Sequence, residues 1–260
     1  MDRVGTSGDA VFEGVGVALV TLFDDDGGLD AAATADHASR LADAGATAVV
    51  VAGSTGEAAS LDPEERSELV AAVRGAIPDG TALVAGTGAP SARQACRLTQ
   101  AAADSSADAA LVLSPPGSPD PRPYYEAVAA ASTIPVLAYH FPRASAPGIS
   151  LDHLVELDVA GCKDSSGDPE RLLTTLDRWD RPLYVGSSMV LSLAGPAGAT
   201  SAILALANVE IERCIAAFDG DATAQVGLVE AHLAAETAFP AGIKGLTAAR
   251  YGTSTSARMG

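Results

Sequence analysis

Lysine is nearly absent from this chain, and one of its two lysines stands where it could act as a nucleophile. Lys163 ends the apolar run 159–162 and is followed by the polar, glycine-bearing segment 164–168. An amine at the junction of a buried strand and a turn is partly desolvated, which disfavours the ammonium form and frees the lone pair to attack a carbonyl. Taken alone, this short segment is equally compatible with a solvated lysine that caps a strand. Other groups must therefore decide whether Lys163 is a Schiff-base nucleophile.

Two further segments carry groups that could work with such an amine. Residues 53–57, Gly-Ser-Thr-Gly-Glu, place two hydroxyls and several backbone amides together, which suits a small carboxylate or a ketone oxygen. On its own, an ordinary turn is the simpler interpretation of this segment. Tyr139 could shuttle protons if its phenol faced the Lys163 amine, and without that lysine it would be a core aromatic with a polar tip.

Two glycine-rich segments do not indicate a nucleotide site. Residues 86–91 lack both the third glycine and the lysine-serine pair of the known phosphate-binding loops. Residues 14–16 open a strand instead of following one. The four histidines are scattered without the spacing of metal ligands, so no metal is expected.

The elements that must position these groups alternate along the chain. Short apolar runs rich in β-formers alternate with alanine-rich segments of helical period, a pattern typical of repeated strand-helix units and a parallel sheet. Eight such units predict an α/β fold, a (β/α)8 TIM barrel whose reactive groups lie at the carboxyl ends of the strands. The predicted strands are residues 15–21, 46–52, 82–86, 109–114, 134–139, 159–163, 183–186 and 201–204.

The predicted helices begin at recognisable caps, namely Asp30, Asp62 followed by a proline, and Ser91. We divide the chain into an N-terminal tail at 1–13, the barrel at 14–208, and a short C-terminal helical extension at 209–260 packed on the barrel. Helical patterns occupy 209–218 and 221–239, and the remainder, through Lys244 and Tyr251, is expected to be a tail.

Composition limits the class of partner. The chain has 33 acidic and 16 basic residues and a net charge of −17, so nucleic acid and anionic membranes would be repelled. The three cysteines are far apart in sequence, which favours a reducing compartment without disulfides. The first 13 residues lack the pattern of a signal sequence, so a cytoplasmic protein that acts on small molecules is expected.

Taken in order, these segments resemble a known family. They look like the signatures of the dihydrodipicolinate synthase and N-acetylneuraminate lyase family of class I aldolases, and the resemblance covers about residues 15–209. Asn208, after the eighth strand, also matches the habit of the family. The segments that carry the resemblance are Gly53-Ser54-Thr55-Gly56-Glu57, Gly86-Thr87-Gly88-Ala89, Tyr139 with Pro142, and Gly161-Cys162-Lys163-Asp164-Ser165-Ser166-Gly167-Asp168.

The resemblance implies a pyruvate-dependent lyase without metal or other cofactor. In such enzymes the lysine that matches Lys163 forms a covalent iminium with a 2-oxo acid, and the tyrosine that matches Tyr139 relays protons. The partners would be a 2-oxo acid and an aldehyde, and the assembly a homo-oligomer, either a dimer or a tetramer. The residues that match the family's substrate pocket are Gly53, Ser54, Thr55, Gly56, Gly186 and Ile203.

Departures from the family pattern bear on the substrate. The synthases of lysine biosynthesis usually carry a carboxylate-binding arginine two residues after Pro142, where this chain has Ala144. Arg143 could replace it only if the loop is shifted. Tyr124 and Tyr125 come later than the tyrosine pair of those synthases and are expected to be structural. The alanine is instead similar to the 2-keto-3-deoxygluconate aldolase branch.

We therefore predict a lysine Schiff-base lyase that cleaves or forms a carbon–carbon bond to pyruvate, with a 2-keto-3-deoxy sugar acid as substrate. A 4-hydroxy-tetrahydrodipicolinate synthase, which condenses pyruvate with aspartate semialdehyde, is the alternative within the family. The alternative of another class is a non-catalytic paralogue that binds an oxo acid. The family's last helix is expected to be shortened or missing, which leaves the number of subunits open.

Overall fold

Eight parallel strands pair in chain order and close into a barrel, with β8 hydrogen-bonded to β1. The computed structural model describes residues 10–259; most of the predicted N-terminal tail and Gly260 lie outside the described residues. The predicted α/β TIM barrel is confirmed. Its strands are β1 Gly14–Ala18, β2 Ala48–Val51, β3 Ala82–Gly86, β4 Ala109–Leu113, β5 Val136–His140, β6 Gly161–Asp164, β7 Leu183–Val185 and β8 Ser201–Leu204.

Helices follow the strands, and the predicted caps are present. The Asp30 carboxylate accepts from the Ala33 amide at 2.9 Å, and the Ser91 hydroxyl accepts from the Gln94 amide at 3.3 Å. These contacts satisfy amides that a helix start leaves unpaired. The helices are α1 Ala31–Asp43, α2 Pro63–Ala76, α3 Ala92–Asp104, α4 Arg122–Ala131, α5 Leu151–Leu154, α6 Pro169–Arg178, α7 Leu191–Ala197, α8 Ala207–Phe218, α9 Ala222–Gly227, α10 Val229–Glu236 and α11 Ala241–Tyr251, with a 3-10 turn at Ala58–Ser60.

The barrel interior is a packed core with a plug at its amino-terminal end. Phe12, which precedes β1, is buried there, with its ring centroid 5.1 Å from that of Tyr184. The Tyr184 hydroxyl accepts from the Val11 amide at 3.0 Å. This end is therefore closed by side chains, and the opposite end holds the reactive residues, as in other barrels of this type.

The region after β8 differs from the expectation in two ways. The segment 221–239 forms two helices, α9 and α10, instead of one, and they meet at the fully buried Leu228. The segment expected to be a tail forms the helix α11 in its first part, with Lys244 and Thr247 buried one turn apart. Two glycines weaken the helical signal of this segment in the sequence, whereas burial of one face stabilises the helix in the fold.

The Asn208 side chain links two elements of the barrel, a role that was not predicted from its position in the sequence. Its buried side-chain amide accepts from the Val20 amide at 3.1 Å and donates to the Ala18 and Ala205 carbonyls, each at 2.8 Å. The side chain thereby joins the end of β1 to the start of α8. Within residues 10–259, no helix is long and apolar enough to cross a membrane.

Candidate active site

Lys163 and Tyr139 lie side by side at the carboxyl ends of β6 and β5. They are register partners in the parallel pairing of these strands. The Lys163 Nζ lies 4.4 Å from the centroid of the Tyr139 ring, and the two residues are 5% and 4% exposed. The main-chain hydrogen bonds of the barrel thus fix an amine beside a phenol, which is the arrangement expected from the sequence.

The Lys163 amine has no ionic partner among residues 10–259, because the adjacent carboxylate is engaged elsewhere. Asp164 pairs with Arg171 at 2.7 Å and also accepts from the Ser166 amide at 2.8 Å. Neighbouring residues of a strand point to opposite faces, so Asp164 turns away from the interior that Lys163 enters. An unpaired, buried amine of this kind can attack a carbonyl carbon.

Gly186 leaves the space that Lys163 needs. A Cβ atom added at this position would lie 1.8 Å from the Ser165 hydroxyl and 3.0 Å from the Lys163 Cε. The same serine hydroxyl donates to the Tyr139 hydroxyl at 3.4 Å. A side chain at position 186 would therefore push directly on the lysine and on the serine that contacts the tyrosine.

A cavity of about 290 Å³ opens above these groups, and four of the expected residues line it together with Lys163 and Tyr139. They are Ser54, Thr55, Arg143 and Gly186. The remaining polar groups on its wall come from the ends of β6 and β7 and from α10, and they are Ser165, Ser166, Ser187, Ser188, His232 and Glu236.

Three other residues expected in the pocket lie beside the cavity and not on its wall. The Gly53 carbonyl accepts from the Ala58 amide at 3.1 Å, and the Gly56 carbonyl accepts from the Thr21 hydroxyl at 2.7 Å. These two glycines shape the loop that presents Ser54. Ile203 is fully buried in the barrel interior, packed in the same cluster as Tyr139.

Arg143 reaches the mouth of the cavity with its charge already paired. Its guanidinium forms a salt bridge with Glu236 of α10 and lies 5.8 Å from the centroid of the Phe141 ring. The side chain is 64% exposed, so the pair is open to solvent. An anionic ligand would have to compete with Glu236 for this arginine.

The contribution of α10 to the site was not predicted from the sequence. His232 lines the cavity, and its Nδ1 lies 2.9 Å from the Ser188 hydroxyl. Burial lowers the pKa of His232, which favours the neutral ring. A helical pattern predicted the element but not its proximity to β7, because the two residues are 44 positions apart.

Tyr124 and Tyr125 are packed in the fold, as expected. Both lie in the first turns of α4 and are buried. The Tyr125 hydroxyl donates to the Val112 carbonyl at 2.9 Å and accepts from the Tyr139 amide at 3.4 Å, and burial raises its pKa. This tyrosine supports the strand that carries Tyr139 and does not reach the cavity.

A second, larger cavity of about 1060 Å³ adjoins the first and shares Ser54, Phe141, Arg143 and Phe239 with it. Its other walls, which are mostly apolar, come from residues 58–61, from α2 and α3, from the loops after β3, β4 and β5, and from Pro240 and Met259. Over the part of the chain that is described, no three His, Cys, Asp or Glu side chains gather as metal ligands do.

Comparison with known proteins identifies a family whose members this chain resembles in sequence. The chain matches the sequence model of the "Dihydrodipicolinate synthetase family" over residues 11–235. It is 34% identical over 227 residues to a 4-hydroxy-tetrahydrodipicolinate synthase of Natronomonas pharaonis, covering 82% of this chain and 77% of that protein. It is 36% identical over 223 residues to an uncharacterized DapA-like lyase of Halobacterium salinarum, covering 82% and 73%.

A solved structure agrees with this match. The chloride-inhibited dihydrodipicolinate synthase from Acinetobacter baumannii, complexed with pyruvate, has a TM-score of 0.84 and 27% identity to this chain. The likeness covers 91% of this chain and 87% of that one.

Proposed function

Because the chain belongs to the dihydrodipicolinate synthetase family of class I aldolase-type lyases, we propose that Lys163 forms an iminium with pyruvate and that the enzyme cleaves a 2-keto-3-deoxy sugar acid. The observation that carries the proposal is the Lys163 amine, buried, without an ionic partner in residues 10–259, and 4.4 Å from the Tyr139 ring centroid. The pyruvate bound to the Acinetobacter baumannii enzyme supports the choice of oxo acid.

The reaction follows from the chemistry of an iminium. The Lys163 amine adds to the ketone carbon of the substrate, and water leaves. The positive nitrogen then accepts the electron pair of the carbon–carbon bond that breaks, so an aldehyde departs and an enamine remains. Protonation of the enamine and hydrolysis release pyruvate and the free lysine. No cofactor beyond the covalent iminium is needed.

We assign Tyr139 the proton transfers, because its phenol lies beside the amine and is contacted by the Ser165 hydroxyl at 3.4 Å. A phenol in this position can take the proton of the substrate hydroxyl as the bond breaks and return it later. Ser54 and Thr55, which line the same cavity, are assigned to the carboxylate of the oxo acid, with Gly53 and Gly56 shaping their loop.

The polar wall of the smaller cavity supports a sugar-acid substrate. Four serine hydroxyls and the His232 ring can pair with the hydroxyl groups of a polyol chain. The synthase reaction would instead need a free cation for the second carboxylate, whereas Arg143 is paired with Glu236 and the next residue is Ala144.

The second candidate is 4-hydroxy-tetrahydrodipicolinate synthase, which the name of the Natronomonas pharaonis relative favours. It shares the iminium of Lys163 with pyruvate but runs towards bond formation: the iminium loses a proton to give the enamine, which then attacks the aldehyde carbon of aspartate semialdehyde. A homo-oligomeric assembly, a cytoplasmic location and the non-catalytic alternative stay predictions, and mass spectrometry of a Lys163 adduct addresses the last of these.

Product analysis separates the two candidates. The enzyme is incubated with 2-keto-3-deoxygluconate in one series and with pyruvate and aspartate semialdehyde in another, with Lys163→Arg as the inactive control. Cleavage of 2-keto-3-deoxygluconate to pyruvate and an aldehyde, without condensation in the second series, supports the aldolase. Condensation of pyruvate with aspartate semialdehyde, without cleavage in the first series, would contradict the aldolase proposal and support the synthase.

A further inference from the structure

The second lysine of the chain is part of a buried ion pair that the proposed reaction does not use. Lys244 of α11 forms a salt bridge with Glu57, and both side chains are fully buried. The Lys244 Nζ also donates to the Ser256 carbonyl at 2.6 Å and lies 4.3 Å from the centroid of the Phe23 ring. Burial of two charges is unfavourable unless further hydrogen bonds satisfy them. The remaining partners of Glu57 therefore indicate what the pair holds.

Those partners lie in residues 253–259, which we call the strap. The second carboxylate oxygen of Glu57 accepts from the Arg258 amide at 2.8 Å and from the Met259 amide at 2.6 Å. Lys244 holds the same segment through the Ser256 carbonyl. One buried ion pair thus binds the strap at three points along its backbone.

The Arg258 side chain anchors the strap to the elements on either side of the residue 53–57 loop. Its guanidinium donates to both carboxylate oxygens of Glu65, at 2.8 and 2.7 Å, to the Ser60 carbonyl at 3.0 Å and to the Gly27 carbonyl at 2.7 Å. It also lies 4.3 Å from the centroid of the Phe23 ring. Such a bidentate contact between a guanidinium and a carboxylate fixes the orientation of the Arg258 side chain as well as its position.

Glu57 is the last residue of the loop that presents Ser54 and Thr55 to the cavity. The loop is bracketed by two non-glycine residues in the left-handed region, Ala52 with φ 50° and Glu57 with φ 55°. Such conformations are unfavourable for residues with a side chain and persist only where surrounding contacts impose them. The strap supplies such contacts at one end, through the Glu57 carboxylate.

We propose that the strap positions the residue 53–57 loop so that Ser54 and Thr55 bind the carboxylate of the oxo acid. Glu57, Lys244 and Arg258 are then positioning residues that act through the loop, without contact to the substrate. This role rests on the proposed function, because it takes Ser54 and Thr55 as the carboxylate site. Release of the strap should weaken binding of the oxo acid and leave the chemistry of Lys163 intact.

The test measures how much pyruvate is needed to trap the adduct on Lys163 with borohydride, by intact-mass spectrometry over a series of pyruvate concentrations. Arg258→Ala removes the guanidinium contacts that hold the strap, and Arg258→Lys keeps the positive charge but not the bidentate contact with Glu65. Arg213→Ala is the matched control, since that arginine pairs with Glu210 on α8 and is 44% exposed. Thermal melting of each variant establishes that it is folded.

Arg258→Ala should raise the half-saturating pyruvate concentration about tenfold, which corresponds to about 1.4 kcal/mol, with the yield at saturation unchanged. Arg258→Lys should lie between this variant and the wild type, and Arg213→Ala should match the wild type. A folded Arg258→Ala with wild-type half-saturation would overturn the role of the strap. If Arg258→Ala does not fold, unchanged half-saturation in Arg258→Lys has the same meaning. Absence of an adduct in the wild type would instead overturn the proposed function itself, and this role with it.

Discussion

Tyr139 and Lys163 are register partners on adjacent barrel strands, with the lysine amine 4.4 Å from the centroid of the tyrosine ring. The backbone hydrogen bonds of β5 and β6 set this relationship, so it does not depend on a flexible loop. Groups that must meet at a reacting carbon are held more precisely on strands than on loops.

Replacement of Lys163 by arginine should abolish turnover while the fold is retained. Arginine keeps a positive charge at this buried position, but its guanidinium does not form an iminium with a ketone. We expect the rate of pyruvate release to fall by several orders of magnitude, with an unchanged circular dichroism spectrum. Unimpaired turnover in this variant would contradict the mechanism.

Tyr139→Phe should slow the reaction and spare the structure. The ring and its packing against Phe141, with centroids 5.8 Å apart, are retained, and only the hydroxyl is lost. Loss of a proton-transfer group costs about 10²–10⁴-fold in rate. Steady-state kinetics should show this loss in kcat, with Tyr251→Phe in α11 as a control away from the cavity. An unchanged kcat would remove Tyr139 from proton transfer.

Gly186→Ala should damage the site through one methyl group. The added Cβ would overlap the Ser165 hydroxyl and press on the Lys163 Cε. We expect kcat/KM to fall on the order of 10²-fold, the loss typical of a reacting group displaced by about 1 Å. Gly75→Ala is the control, since the Cβ it would add meets no described atom within 4 Å apart from its chain neighbours and the backbone of its own helix. Equal activity of the two variants would show that the space beside Lys163 is not needed.

The fold should lose stability in acid through His37. This ring is fully buried in α1, and burial, aided by the charge of Arg40, lowers its pKa to about 4. The folded state thus binds a proton less readily than the unfolded state, whose histidine titrates near 6.5. The resulting stability is complete above the unfolded value and is lost as the pH falls towards about 4.

Urea unfolding of wild type and His37→Gln at several pH values measures this contribution. Glutamine retains hydrogen-bonding groups but does not titrate. Between neutral pH and pH 4 the free energy of unfolding should decrease in both proteins. The decrease should be smaller in the variant than in the wild type by about 1–3 kcal/mol. His140, whose pKa is also lowered to about 4, remains in both proteins and should leave some acid sensitivity. Identical pH profiles would exclude His37 as a source.

The sequence predicted the barrel because its buried strands are nearly continuous apolar runs. Such runs are typical of a parallel sheet covered on both faces, and the polar groups that follow them must collect at one end. Lys163, Tyr139 and residues 54–55 could be placed in this way. The prediction erred at strand ends: β5 begins at Val136, two residues later than expected, because the chain enters the strand through Pro135.

Contacts between distant segments could not be predicted in the same way. The pairing of Lys244 with Glu57 joins residues 187 positions apart, and neither local pattern indicates the other. The helix α11 was expected to be a tail, because its stability comes from packing and not from its own propensity. His232 and Glu236 were not predicted as site residues, because no local sequence pattern indicates that α10 lies at the mouth of the barrel.

The most direct test of the central claim is intact-mass spectrometry after incubation with pyruvate and borohydride, followed by peptide mapping. The chain has only two lysines, and Lys244 is fully buried and paired, so it serves as an internal control. We predict a single pyruvyl adduct, located on Lys163 and absent from Lys163→Arg. A folded wild-type protein that carries no adduct, or that carries it on Lys244, would contradict the assignment of Lys163 as the Schiff-base nucleophile.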